Sequence, residues 1–320
     1  MHKIRNEVIL VNKVEQYISK IIFRNRILTY QGQQFEDFFV SVMTKCNPNF
    51  QPVKAFGNIG DQKNDGFDQT TGTYYQVFAP EDITKNKTKH DGVKKLKNDF
   101  EGLYRHWNDI CPIKYYFFVT NDKYNGIPAP VIQMAIELDN NPRYKDVTIK
   151  TFSAKDLEHL FDQLDVSSKQ DILGFIPDEI LPVVEFDALN EAVSYLIKTE
   201  LPETSADRLI VPDFDEKITF NNLSSVVNHQ LVMGSYQENL ITQYFNENPG
   251  IREVLQKKFH ALYEQAKKDI SESKEHYADS RFFYILEHAC PKRTISIQTS
   301  ILVLMSYYFS SCDIFEEPES

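Results

Sequence analysis

The stretch GNIGDQKNDGFDQTTGTYYQVFAP, residues 57–80, decides the fold of the N-terminal half of the chain. A polar, glycine-rich segment is followed by two runs of β-forming residues, Asp65–Thr70 and Thr73–Phe78, with Thr71 and Gly72 between them. A glycine turn between two such runs predicts a β-hairpin. Because the strands of a hairpin are antiparallel, side chains from both strands can meet on one face.

The sequence on both sides of this hairpin alternates between strand and helix spacing. KYYFFVT, residues 114–120, is an almost continuous apolar run of the kind found in sheets covered on both faces. We expect further strands at Pro52–Gly57 and Val147–Phe152, and helices near residues 7–24, 32–46, 91–108, 129–138 and 154–164. The N-terminal half is therefore predicted to be an α/β domain.

The C-terminal half has helix spacing throughout, with proline and glycine at the breaks. We expect helices near residues 186–199, 219–246, 249–268, 276–290 and 294–311. The proline-bearing segment IPDEILPVVEFD, residues 176–187, suits an extended connector. The sequence thus predicts two domains, an α/β domain at residues 1–175 and an all-α domain at residues 176–320.

The net charge differs sharply between these halves. The whole chain carries −11, but residues 1–175 carry +1 and residues 176–320 carry −12. An acidic surface repels the phosphate backbone of a nucleic acid, so the C-terminal half is expected to contact protein and not DNA.

Several other classes of protein are disfavoured by the sequence. The longest apolar run, near residues 301–309, is far shorter than the roughly 20 residues that span a bilayer. The first residues do not resemble a secretory signal. Cys46, Cys111, Cys290 and Cys312 have no CxxC spacing, which argues against a disulfide framework or a zinc ribbon. We expect a cytoplasmic protein with no membrane segment.

The hairpin itself offers oxygen ligands for a metal ion. Mg²⁺ binds carboxylates, carbonyl oxygens and water. Asp65, the amide oxygen of Gln76 and the main-chain carbonyl of Val77 could provide such a set, with Asp61 and Asp68 as alternative ligands. The alternative interpretation is structural: Asp65 and Gly66 form a turn, and Gln76 lies on a solvated face of the sheet.

These residues resemble the Mrr-type branch of the PD-(D/E)XK restriction-endonuclease fold. The matching positions are Glu36 in the Phe-Glu pair of a helix, Asp65 in Gly-Asp-x-x-x-Asp-Gly, and Gln76 in the Q-x-K triplet. Phe78 stands where that triplet has its lysine. The resemblance implies a deoxyribonuclease dependent on Mg²⁺ or Mn²⁺, in which Asp65 holds the ion, Gln76 orients it and Glu36 acts through a water or a second ion.

A lysine-rich helix directly after the hairpin could supply the missing ammonium group. At 100° per residue, Lys97 lies about 90° from the centre of the predicted buried stripe, while Lys95 points nearly the opposite way. Since the resembling fold tolerates a catalytic lysine on a neighbouring helix, we expect Lys97 in that role, with Lys94 as the second candidate. Lys87, Lys94 and Lys95 are expected to bind nucleic acid. A solvated basic face that merely holds phosphates is the alternative.

Two further segments resemble effectors of ABC-three-component defence systems, the group that includes Lamassu. They are TGTYYQVFAPED, residues 71–82, and ILVLMSYYFSSCDIFEEP, residues 301–318. This resemblance implies an endonuclease held by an SMC-like ABC ATPase and a small middle subunit, and active when released or assembled into a homo-oligomer. A catalytically inactive DNA-binding subunit and a purely structural adaptor are the alternatives.

Overall fold

The computed structural model describes residues 2–54, 63–174, 182–202, 214–311 and 314–317, with only the backbone of residues 2–13. Contacts divide the chain into two units. We call residues 26–172 the sheet unit, and residues 1–25 together with 173–320 the helical unit. This division differs from the sequence-based ranges of 1–175 and 176–320 because the first 25 residues group with the C-terminal helices.

The sheet unit contains a mixed sheet with helices. In the described residues the five strands follow chain order, with β1 to β3 antiparallel and β3 to β5 parallel. The strands are β1 (Phe50–Pro52), β2 (Gly66–Asp68), β3 (Thr73–Phe78), β4 (Tyr115–Thr120) and β5 (Thr148–Phe152). The helices are α2 (Gly32–Cys46), α3 (Asn86–Trp107), α4 (Ala129–Asp139), α5 (Ala154–Asp162) and α6 (Val166–Leu173), which crosses the unit boundary. The predicted fold class is confirmed.

The predicted hairpin is confirmed, with Asp68 opposite Thr73 and Gly66 opposite Tyr75. The predicted strand Pro52–Gly57 overlaps β1 only at Pro52, because β1 begins two residues earlier than expected and Val53 and Lys54 belong to no strand. Its residues 55–57 lie outside the described residues. Gly66 is required by a close approach, because an added Cβ there would lie 2.3 Å from Cζ of Phe50.

Each face of the sheet is covered, as the apolar run in β4 predicts. Tyr74, Tyr116 and Phe118 join the core under α3, whose Leu96 and Phe100 are fully buried. On the other face, Phe39 of α2 packs against Tyr75, with ring centroids 5.7 Å apart, and against Phe50 and Phe152. Because side chains alternate along a strand, Gln76 shares the α3 face with Tyr74 and Phe78.

The helical unit begins with α1 (His2–Thr29), whose last residues belong to the sheet unit. Within the helical unit, Tyr17 Oη donates to Asp279 at 2.7 Å, and Asn25 Nδ2 donates to the carbonyl of Ser280 at 2.7 Å. The remaining helices are α7 (Phe186–Lys198), α8 (Phe214–Phe220), α9 (Ser225–Ser235), α10 (Glu238–Glu247), α11 (Ile251–Asp269), α12 (Tyr277–Ala289) and α13 (Ile295–Ser310). Within the described ranges, none of the helices has the length and apolar character needed to span a bilayer.

One predicted helix is wrong. Residues 219–246 form parts of α8, α9 and α10 and not one continuous helix. Asn222 adopts a left-handed conformation with φ 54°, and the Ser224 side chain accepts a hydrogen bond from the backbone N–H of Val227. Asparagine tolerates that conformation and serine is a favoured N-cap, so these two residues end one helix and begin the next.

Asp68 fixes the turn of the hairpin. Its Oδ1 accepts hydrogen bonds from the backbone N–H and hydroxyl of Thr70 and from the N–H of Thr71, and its Oδ2 accepts from Asn47 Nδ2 at 2.9 Å. Burial acts to raise the pKa of Asp68, but these hydrogen bonds outweigh it and lower the pKa to about 2. Both oxygens are therefore engaged in the fold, Oδ1 by the turn and Oδ2 by Asn47 at the end of α2.

We predict that Asp68→Ala lowers the free energy of unfolding of the sheet unit by about 2 kcal/mol near neutral pH, since the lowered pKa measures how strongly the fold favours the charged form. Because the folded pKa is depressed, this contribution is present above the unfolded pKa of about 4 and is lost as the pH falls toward 2. Urea unfolding followed by the fluorescence of Trp107, the chain's single tryptophan, reports on this unit. A wild type and variant that still differ by the full amount at pH 2 would contradict the assignment.

Candidate active site

Asp65 lies at the entrance to β2 and is almost completely buried, with 4% of its surface exposed. Its backbone N–H donates to the carbonyl of Tyr75 at 3.1 Å, and its carbonyl accepts from the N–H of Val53 at 3.2 Å. The backbone thus continues the pairing between strands for one residue beyond β2. This pairing holds the carboxylate against the middle of β3.

The hairpin brings Asp65 and Gln76 into direct contact, as the spacing predicts. Oδ2 of Asp65 accepts a hydrogen bond from Gln76 Nε2 at 2.7 Å and another from the backbone N–H of Val77 at 2.6 Å. All three candidate metal ligands, Asp65, Gln76 and Val77, are therefore neighbours. Their role as ligands stays a prediction.

The amide oxygen of Gln76 has an unusual environment. Gln76 is 3% exposed, and its Oε1 is buried with no hydrogen-bond partner in the part of the chain that the structure describes. A buried acceptor without a partner costs about 1–3 kcal/mol, so such atoms are uncommon in folded proteins. An unsatisfied amide oxygen beside a buried carboxylate fits a hard divalent cation, which binds oxygen ligands.

The described residues supply few of the ligands that such an ion requires. No cluster of three or more His, Cys, Asp or Glu suited to a metal occurs among the described residues. Asp61 lies outside them, and Asp68 is assigned to the turn. One carboxylate and one amide oxygen would leave most of the coordination shell to main-chain carbonyls, water and bound phosphate.

Glu36 lies on α2, which packs against the opposite face of the sheet from Gln76, and its Oε1 accepts from Gln33 Nε2 at 2.9 Å. An exposed lysine connects this region electrostatically to Asp65. The pKa of Lys54 is raised, mainly by its hydrogen bond to Asp37 at 3.0 Å, with smaller contributions from the charges of Glu36 and Asp65. Lys54 lies two residues after the end of β1, and no motif in the sequence identifies it.

Phe78 occupies the position of the motif lysine and is held there by apolar contacts. Its ring stacks on Phe118 with centroids 5.8 Å apart, and an added Cβ on Gly92 of α3 would lie 3.1 Å from Phe78 Cε1. The position is therefore part of the packing between β3 and α3. A polar group at this site has to come from another element.

The lysines of α3 that the sequence singles out differ in exposure, and their roles stay predictions. Lys87, Lys94 and Lys97 are exposed, and the described contacts include no hydrogen bond or ion pair from Lys97 to Asp65 or Gln76. Lys95, which helix spacing places about 160° around the helix from Lys97, is half-buried, with its Nζ 2.6 Å from Oδ2 of Asp99. Because the residues are four apart, Lys95 and Asp99 lie only about 40° from each other around α3, and so share one side of the helix.

Sequence reasoning did not identify Asp99, Lys63 or Tyr116. The side chain of Asp99 is 4% exposed, and Lys63 Nζ lies 3.1 Å from its Oδ1. Tyr116 is fully buried, and its hydroxyl has no hydrogen-bond partner within the described residues. Burial raises the pKa of Tyr116 well above its usual value, and the charges of Asp99 and Asp65 raise it further, so the hydroxyl stays protonated.

A protein-family model matches the C-terminal region. Residues 187–316 match the family of C-terminal domain 10 of the ABC-three component (ABC-3C) systems. The match begins within α7 and ends beyond α13, and it covers less than half of the chain. It marks a C-terminal domain of an ABC-three-component system, which confirms that part of the resemblance. The resemblance of the N-terminal half to Mrr-type nucleases stays a prediction.

No match was found among curated proteins, and none among solved structures.

We predict that Asp65→Ala lowers the free energy of unfolding of the sheet unit by about 1–3 kcal/mol, because it leaves the buried Gln76 Nε2 and the Val77 N–H without their acceptor. Asp65→Asn, which keeps an oxygen near the same place, is expected to cost less. Urea unfolding monitored by Trp107 fluorescence measures both. Asp91→Ala removes an exposed carboxylate from α3 and provides the control, with a change expected within about 0.5 kcal/mol. Equal stability of Asp65→Ala and the control would contradict the buried contact.

Proposed function

We propose that the chain is a metal-dependent DNA endonuclease that serves as the effector of an ABC-three-component defence system. The observation that carries this proposal is the buried contact between Asp65 and Gln76, in which the amide oxygen of Gln76 has no partner in the described structure. The match of residues 187–316 supports membership of such a system. The resemblance to Mrr-type nucleases supplies the reaction.

The reaction is hydrolysis of a phosphodiester bond. The oxygen of a water adds to phosphorus, one ester P–O bond breaks, and the departing oxygen takes up a proton to become a hydroxyl. A bound Mg²⁺ or Mn²⁺ would polarise the phosphate and lower the pKa of the attacking water. In this proposal Asp65, the Gln76 amide oxygen and the Val77 carbonyl would hold the ion. Glu36, which lies on α2 against the other face of the sheet, would act only indirectly, through a water.

The ligands that the protein provides determine how tightly it binds the metal ion. Gln76 is neutral where many sites of this fold type would have a second acid, so the protein contributes the charge of one carboxylate to the ion. We infer that metal binding is weak until a DNA phosphate adds its own oxygens.

The basic surface of α3 supports DNA as the substrate. Lys87 and Lys94 are exposed on this helix, as is Lys97. Exposed lysines bind the phosphate backbone without regard to sequence, and such binding weakens with salt. The acidic C-terminal half, net −12, is proposed to contact the partner proteins, an SMC-like ABC ATPase and a small middle subunit, and to form the homo-oligomer when active.

One observation favours a second candidate function. Phe78 fills the position of the motif lysine and is packed between Phe118 and α3. If no other residue replaces that lysine, the sheet unit is an inactive nuclease fold that binds DNA and promotes assembly. DNA binding without cleavage distinguishes this candidate from the nuclease.

We predict that the wild-type chain nicks or linearises supercoiled plasmid in the presence of Mg²⁺ or Mn²⁺ and not in EDTA. Asp65→Asn is expected to slow cleavage by about 10²–10³-fold, because it removes the charged ligand while it preserves the shape of the side chain. Gel assays on the purified chain, alone and with the co-expressed ATPase and small subunit, measure both rates. Comparison of the chain alone with the chain plus its partners also shows whether the partners inhibit cleavage.

Asp91→Asn removes the same charge from an exposed position on α3 and is expected to cleave like the wild type. Cleavage by Asp65→Asn at the wild-type rate would overturn the proposed site. Binding of DNA by the wild type, with no cleavage under either metal and with or without the partners, would favour the inactive nuclease fold.

A further inference from the structure

A buried carboxylate on α3 holds two lysines close to the Asp65–Gln76 contact. Asp99 binds Lys95 through Oδ2 at 2.6 Å and Lys63 through Oδ1 at 3.1 Å. The side chain of Asp99 is 4% exposed, whereas Lys95 and Lys63 are 33% and 49% exposed. Two ammonium groups around one carboxylate leave a net positive charge at the surface.

The direction of α3 places this cluster level with Gln76. α3 packs antiparallel to β3, because Gly92 near its start contacts Phe78, and Trp107 at its end lies 5.9 Å from Tyr74 between ring centroids. Gln76 lies between Tyr74 and Phe78 on the same face of β3. The middle turns of α3, which contain Lys95 and Asp99, therefore pass beside it.

The surroundings of Lys63 and Tyr116 also place the Asp99 cluster beside the Asp65–Gln76 contact. Lys63, two residues before Asp65, approaches α3 closely enough that an added Cβ on Gly102 would lie 3.0 Å from its Cγ. Tyr116 lies where the charges of both Asp65 and Asp99 act on its hydroxyl. The two carboxylates therefore flank one region of the sheet.

Helix geometry separates this cluster from Lys97. At 100° per residue, Lys97 lies about 160° around α3 from Asp99, and Lys94 lies about 140° from it. Lys63 shows that the Asp99 side of α3 faces the hairpin. Lys97 and Lys94 are therefore on the side of the helix that faces away from Asp65.

We propose that Lys95, positioned by Asp99, supplies the ammonium group that binds the DNA phosphate at the Asp65–Gln76 site. This inference rests on the proposed function and replaces Lys97 in the role of the missing lysine. Asp99 acts as a positioning residue through Lys95. Since Lys63 also pairs with Asp99, Lys95 can turn toward a phosphate without leaving the buried carboxylate unpaired.

Two measurements on the full chain test the assignment. The first is the slope of log affinity against log salt for a duplex oligonucleotide in EDTA, measured by fluorescence anisotropy. Loss of one phosphate contact lowers that slope by about 0.9. The second is the rate of plasmid cleavage in Mg²⁺ or Mn²⁺. Trp107 fluorescence confirms that each variant is folded.

Lys95→Gln is expected to lower the salt slope by about one contact and to slow cleavage by about 10²-fold. Lys95→Arg keeps the charge and is expected to keep the slope. Asp99→Asn leaves Lys95 charged but no longer positioned, so cleavage should slow while the slope changes little. Arg105→Gln removes a positive charge from an exposed position on the same helix and serves as the matched control, with wild-type slope and rate expected.

The outcomes separate this inference from the proposed function. If the wild type cleaves and Lys95→Gln matches Arg105→Gln in both measurements, or if Lys97→Gln alone abolishes cleavage, the assignment of Lys95 is wrong. If the wild type does not cleave under any condition, the nuclease proposal fails, and the salt slope still tests whether Lys95 contacts a phosphate. Equal slopes for Lys95→Gln and Arg105→Gln overturn that contact. A lower slope for Lys95→Gln alone supports it.

Discussion

The carboxylate of Asp65 joins the two strands of the hairpin at the end away from the turn. Its Oδ2 accepts hydrogen bonds from a side-chain amide and from a backbone N–H of the next strand, both in the protein interior. A buried carboxylate is stable only when donors surround it. This requirement ties the loop before β2 to the centre of β3, and the same contact orients Gln76 so that its other polar atom has no partner within the described residues. The proposed metal site is a consequence of that arrangement.

The parts of the fold that follow from local pattern could be predicted from the sequence. The Thr71-Gly72 turn between two β-rich runs specified the hairpin, and its antiparallel pairing brought Asp65 to Gln76. Residues 219–246 were harder, because the apolar spacing continues through Asn222 and Ser224, where a left-handed residue and an N-cap divide the helix. Helix spacing alone does not reveal such a break.

The residues around the site could not be predicted, because their positions depend on tertiary contacts that residue spacing does not encode. Angular position on α3 favoured Lys97 over Lys95, but it does not show which side of the helix faces the hairpin. That side is fixed by Asp99, a charged residue in the interior whose burial is compensated by Lys63 from a distant part of the chain. The spacing of Lys95 and Asp99, four residues apart, was visible in the sequence as an ordinary helical ion pair. The packing of α3 on β3, which brings this ion pair level with Gln76, was not visible.

The discontinuous helical unit has a consequence for synthesis on the ribosome. Residues 26–172 form a continuous segment, whereas the helical unit joins residues 1–25 to residues 173–320. The sheet unit can therefore acquire its native contacts while translation continues, since domains fold as their segments emerge. Tyr17 and Asn25 cannot form their hydrogen bonds until α12, which contains their partners Asp279 and Ser280, has been synthesised. A protein that recognises the finished helical unit would encounter only chains whose sheet unit had already been given time to fold.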